Sequence, residues 1–190
     1  MFVDVCFPKN NEKEFLDVAE KLSIDGLLFI YDNDKEKKEI KHDKIKIFNG
    51  YTHNVNTSKA VILEPLDENI SKRKNIIYIY LPEDESPKFH FPLKKINQVL
   101  MKELKLNNKL VGLSFGKILA GKTKDIEKIS FIDILAKKYE VNVFFASFAC
   151  SPHEIRSKND LIGVCKTLGF STAEQKLSAL GEYLSENKNF

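Results

Sequence analysis

Cysteine, histidine and arginine are all scarce in this chain, and each scarcity removes a class of chemistry. The three cysteines, Cys6, Cys150 and Cys165, form no C-x-x-C pair. An odd, unclustered set argues against a disulfide framework and a zinc knuckle, and reads as reduced, partly buried thiols. The four histidines, His42, His53, His90 and His153, show neither H-x-H nor H-E-x-x-H spacing, so no metal site is expected. Of the 30 basic side chains only two are arginines, Arg73 and Arg156. Glycine-rich phosphate motifs of the G-x-G-x-x-G or Walker type are absent. No apolar run approaches the roughly 20 residues that span a bilayer. Residues 1–7 lack both a basic leading segment and a cleavage site and read as a strand. A soluble cytoplasmic protein with no membrane association is therefore expected.

What is present is an ordinary globular composition. The chain has 190 residues, 43% of them hydrophobic and 30% charged, which suits one domain over 1–190 with a continuous core. The net charge of +3 is unevenly spread, because residues 101–138 carry nine lysines against Glu103, Asp125, Glu127 and Asp133. Such a concentration fits a polyanion-binding face, and equally the solvated helix faces of a lysine-rich chain.

The hydrophobic pattern alternates between short apolar runs and helical periodicity. Phe2–Phe7, Leu27–Tyr31, Ile45–Phe48, Ala60–Leu63, Ile76–Leu81, Leu110–Phe115 and Val141–Phe145 read as seven buried strands. Five helices are expected: one opened by Asn10 or Asn11 and carrying Phe15, Leu16, Ala19 and Leu22; one from Pro92 to Leu104; one over Asp125–Tyr139; and two more after Ser157 and Ser171. The tail from 185 to 190 is expected to fray. Strands alternating with helices imply a parallel sheet, either a compressed or incomplete TIM-like (β/α) barrel or an open doubly wound sheet. In a barrel, the missing helices would fall in residues 32–90.

One stretch stands out chemically. Phe145–Leu161 joins a buried strand to a helix through a polar loop that holds Arg156. Ser157 and Asp160 have the spacing of a capping box, with Ser157 as N-cap. Arg156 could pair with Asp160, or with Asp4 across the barrel mouth, or it could face a phosphate. Ser147 could belong to an anion site or simply close the loop. Lys117, Lys122 and Lys124 lie in what reads as a strand-to-helix loop and could track a nucleic-acid backbone or be solvated.

This stretch also resembles a known family. Archaeal ribonuclease P protein component 3 ends in a strand, a Ser-Ser-Ala-like segment, R-x-P-x-D-L and a helix closing in Leu-Gly. Here the order is Ala146-Ser147-Phe148-Ala149, Arg156-Ser-Lys-Asn-Asp160-Leu161 and Thr167-Leu168-Gly169. Val3-Asp4-Val5, Ile96–Leu104 and Lys137-Lys-Tyr139 resemble further segments of that family, and the likeness runs over Phe91–Leu180. Lys158 replaces the motif proline, Asn97-Gln98 replace an Asp-His pair, and the first half is shorter. At the first helical position proline is preorganised, whereas a lysine puts a cation near the helix's positive end.

The resemblance implies a barrel of the polymerase-and-histidinol-phosphatase type without a catalytic set. It implies a protein subunit of the ribonuclease P endoribonuclease, in which the RNA removes the 5′ leader of precursor tRNA using Mg2+. The chain itself would bind no cofactor, and the isolated chain would be inactive. The implied partners are the ribonuclease P RNA, protein component 2 in a heterotetramer, and precursor tRNA through the holoenzyme. Candidate RNA or partner contacts are then Arg156, Lys158, Ser147, Lys117, Lys122 and Lys124, with Asp4, Ser157 and Asp160 as structural positions. The competing enzyme class, a small metal-dependent phosphoesterase on a barrel, needs H-x-H on its first strand, where this chain has Val3-Asp-Val-Cys6. A protein-only interaction module is the third reading.

Overall fold

The computed structural model of the chain describes residues 1–32, 40–52, 61–67, 69–80, 96–120, 123–170 and 172–186. Seven strands follow one another in space as they do in sequence: β1 (Val3–Cys6), β2 (Gly26–Tyr31), β3 (Lys46–Tyr51), β4 (Val61–Pro65), β5 (Ile76–Ile79), β6 (Leu110–Ser114) and β7 (Asn142–Ala146). Every neighbouring pair is parallel. The helices are α1 (Glu12–Lys21), α2 (Gln98–Leu106), α3 (Phe115–Ala120), α4 (Thr123–Tyr139), α5 (Lys158–Thr167) and α6 (Ala173–Glu186), with a 3-10 turn at Pro152–Glu154.

The sheet closes on itself. Just past β7, Phe148 takes a φ of 52° and returns the chain to β1. Ala149 N–H donates to the Val5 carbonyl at 2.9 Å, and Phe7 N–H donates to the Ala149 carbonyl at 2.8 Å. Cys6 and Ala149 thus form a parallel bridge. The result is a TIM-like α/β barrel of seven strands rather than eight. The seam is bonded only at the upper end, where the strands' C-termini lie. Lower down, α6 packs against both β7 and β1. Its Leu180 and Leu184 join the barrel-interior cluster, and a Cβ at Gly181 would collide with the Met1 carbonyl oxygen. The helix therefore fits into the seam only because that residue has no side chain.

Period-2 alternation sorts the strand residues into two layers. Val3, Val5, Leu28, Ile30, Val61, Leu63, Ile77, Ile79, Leu110, Phe144 and Ala146 fill the interior. Phe2, Cys6, Phe29, Tyr31, Tyr51, Ile62, Tyr78, Val111, Leu113, Val143 and Phe145 face outward with the helices. Phe144 and Phe148 stack at 5.7 Å beside Gly112, where a Cβ would stand 2.6 Å from the Phe144 ring. The barrel is thus a packed core and not a channel.

Several expectations are revised. Lys117 lies on α3, a short helix that starts where β6 ends, and not in a loop. Asn11 is the N-cap of α1 but makes no capping bond; its Oδ1 accepts from Lys9 N–H at 2.8 Å instead. Residues 185 and 186 remain helical in α6. The helix expected from Pro92 starts at Gln98, because Asn97 is its N-cap and its Oδ1 accepts from Val99 and Leu100 N–H; Pro92 itself, Ser171 and residues 187–190 lie outside the described residues. No helix occurs among the described residues between 32 and 80, where the sequence places the missing ones.

Candidate functional site

The upper rim at β6 and β7 gathers the polar residues singled out in the sequence. Ser147 is its hub and is almost wholly buried. Its N–H donates to Asp4 Oδ1 at 2.6 Å, its carbonyl accepts from Gly116 N–H at 3.1 Å, and its Oγ accepts from Arg156 N–H at 3.2 Å. One serine therefore ties β1, the start of α3 and the polar loop together. That wiring takes Ser147 out of contention as a surface contact.

Asp4 is fully buried on the outer side of β1. Oδ1 accepts from Ser147 and from Val5 N–H at 2.9 Å, while Oδ2 has no hydrogen-bond partner. Burial pushes the carboxyl up to about 6, against the lowering effect of the Ser147 side chain and of the Ser147 and Val5 amides. Asp4 is neither a rim carboxylate nor a partner for Arg156. It accepts main-chain donors because closure places Ser147 directly across the seam.

Arg156 does not pair with Asp160 either. Its Nη1 donates to the carbonyls of His153 at 2.6 Å and Ile155 at 2.9 Å. The guanidinium carbon sits 5.8 Å from the centre of the Phe115 ring, a cation–π arrangement. Asp160 accepts from the Ser157 hydroxyl at 2.7 Å, and Ser157 Oγ accepts from Asp160 N–H at 3.2 Å. Ser157 is thus the N-cap of α5, as its spacing predicts, and Lys158 is the first helical residue, with its side chain exposed. Lys117 is also exposed, and its N–H donates to Ser114 Oγ at 3.2 Å. Lys122 and the Lys124 side chain lie outside the described residues.

Two parts of this rim have signals that the sequence reading passed over. Ser151-Pro-His-Glu154 is itself a capping sequence: Glu154 Oε2 accepts from Cys150 N–H at 2.7 Å and Ser151 N–H at 3.3 Å. Phe115, the platform under Arg156, is the outward residue that follows Val111 and Leu113 in the alternation of β6.

Of the three free cysteines only Cys150, in the polar loop, is exposed. Burial pushes the Cys6 thiol far up and the Cys165 thiol to about 12, so neither is a ready nucleophile. Among the described residues no three of His, Cys, Asp or Glu cluster to hold a metal. The donor set on β1 also fails a phosphoesterase metal centre, because its one carboxylate is sealed in the outer layer and no imidazole accompanies it. No helix of the described residues is long and apolar enough to cross a membrane. The rim thus presents the exposed Lys117 and Lys158 and the half-buried Arg156 beside the exposed Glu154 and Asp160.

No protein-family model matches the chain, and no curated protein does. Among solved structures, a chain in the cryo-EM structure of archaeal ribonuclease P with mature tRNA is similar over 98% of this chain and 91% of its own length. The sequence identity is 16% and the TM-score 0.72. The two share the barrel fold.

Proposed function

We propose that this chain is a protein subunit of ribonuclease P, of the component 3 type, and that it supports the catalytic RNA in removing the 5′ leader from precursor tRNA. The observation that carries the reading is the cationic rim of Lys117, Arg156 and Lys158 on a barrel shared along nearly its whole length with a chain of archaeal ribonuclease P. The motif order around Arg156 and Asp160 supports it independently of the fold.

In this reading the chain contributes no catalytic group. Hydrolysis and its Mg2+ belong to the RNA, and the rim faces RNA phosphates. A second protein, component 2, joins it in a heterotetramer, and the complex works in the cytoplasm. Attraction to RNA by a rim of this kind is electrostatic and weakens with salt.

Reconstitution tests the proposal. The purified chain, component 2 and the cognate RNA are expected to cleave precursor tRNA at a lower Mg2+ concentration than the RNA alone needs. Folded partners that give no gain would sink the subunit reading. Metal-dependent phosphatase activity from the isolated chain would replace it with the phosphoesterase.

A further inference from the structure

We propose that Arg156 holds one backbone phosphate of the RNA edge-on, with Lys117 and Lys158 supplying attraction but no geometry. The proposal rests on the subunit reading above and adds to it the ligand group and a division of labour among the three cations.

The guanidinium is fixed before any ligand arrives. Nη1 is bound to two main-chain carbonyls, the face lies over Phe115, and the backbone N–H is held by Ser147. A long side chain normally loses considerable rotamer freedom on binding. Here much of that loss is already met by the fold.

Among the described residues this cation also has no counter-ion. Arg156 is half-buried, and no described carboxylate pairs with it. The two acids beside it are engaged elsewhere. Glu154 caps the 3-10 turn through Cys150 and Ser151, and Asp160 closes the box with Ser157. Carbonyls orient a guanidinium but do not neutralise it, so an external anion completes the arrangement.

With Nη1 engaged, the edge formed by Nε and Nη2 bonds no described residue. Those two N–H groups are coplanar and parallel, the fork that matches two oxygens of one phosphate. Lys117 stands two residues beyond Phe115, and Lys158 two beyond Arg156. Both are exposed ammonium groups without a planar fork, suited to steering rather than to orientation.

The test is titration of the full chain against the labelled catalytic domain of the ribonuclease P RNA at several KCl concentrations. Arg156→Ala is expected to weaken binding about tenfold or more, as expected for a lost charged hydrogen-bond pair, and to reduce the log–log salt slope by about 0.9. Arg156→Lys is expected to lose most of that affinity while keeping the slope, since its charge remains and its fork does not. Lys117→Ala and Lys158→Ala, which remove a charge but no fork, are expected to weaken binding less than Arg156→Ala does while each still lowers the salt slope. Phe115→Leu keeps the cation but removes its platform, and is expected to weaken binding with the slope unchanged. Thermal unfolding of each variant separates lost binding from lost structure.

Wild-type affinity and slope in Arg156→Ala would overturn the proposal, and so would full rescue by Arg156→Lys. If Arg156→Ala does not fold, Arg156→Lys and Phe115→Leu decide. Failure of the wild type itself to bind the RNA or to aid cleavage would instead overturn the subunit reading, before any variant is compared.

Discussion

The connections from β5 to β7 carry helices, whereas from β2 to β5 the described residues carry none. The outward residues differ accordingly. Val111, Leu113, Val143 and Phe145 meet the apolar faces of helices. On the other flank a row of rings runs outward from α1, with Phe15 against Phe29 at 6.1 Å, Phe29 against Tyr31 at 6.5 Å and Tyr31 against Tyr51 at 6.5 Å. Tyr78 lies on the same side and accepts from Ser71 N–H at 2.7 Å. An aromatic body buries a large area, and a phenol adds a polar tip that can meet main chain. The described connecting residues offer main chain there, as Ser71 does, rather than a helix. The thin flank is thus sealed by the size of its side chains and the thick flank by added helices. The cationic rim stands at the top of the thick flank, where helix ends fix its groups.

The largest expected effect falls on the thick flank. Asp133 of α4 and Lys176 of α6 are joined at 2.8 Å, with side chains only 7% and 9% exposed. Asp133→Ala removes the carboxylate that faces this buried ammonium and is expected to cost about 3–5 kcal/mol in chemical denaturation. A loss under about 1 kcal/mol would mean that the helices hold by apolar packing alone, and the contrast with the other flank would narrow.

Asp4 at the seam comes next, through pH. Its folded carboxyl is pushed up to about 6 from an ordinary 3.8, so the unfolded chain releases that proton first. The contribution of this group therefore falls as pH rises from about 4 to 6, by roughly 3 kcal/mol, and is level above that. Asp4→Asn keeps an oxygen for Ser147 and Val5 but cannot ionise. Stability curves of the two proteins are expected to differ most steeply in that window, and parallel curves would show that Asp4 does not titrate there.

The smallest effect belongs to the thin flank. Tyr78→Phe keeps the ring and removes one acceptor, with an expected loss of about 1 kcal/mol in thermal or urea unfolding. A loss as large as that of Asp133→Ala would reverse the ranking of the two flanks.

Much of this architecture is legible in the sequence, because parallel strands are near-continuous apolar runs and amphipathic helices repeat at 3.6 residues. All seven strands and the Ser157–Asp160 capping box are visible that way. The short helix α3 is not, since six residues carry too little period and Gly116 near its start reads as a break. Closure of the barrel is hidden for a different reason. It depends on Phe148 at positive φ and on a bond between residues 143 positions apart, Asp4 and Ser147. Opposite charge suggests Arg156 as the partner of Asp4. Strand alignment, which no local pattern encodes, provides an amide instead. The candidate site is half legible in the same way: Arg156 announces itself by rarity, while its platform and its carbonyl anchors emerge only from packing.

The helix that fills the lower seam follows all seven strands in the chain. A polypeptide lengthening from its N-terminus can bond the upper seam at Ala149, but the lower ends of β1 and β7 stay uncovered for as long as α6 has yet to emerge. Exposed borders of this kind are templates for pairing with another molecule. The absent side chain at Gly181 is what lets α6 end that exposure.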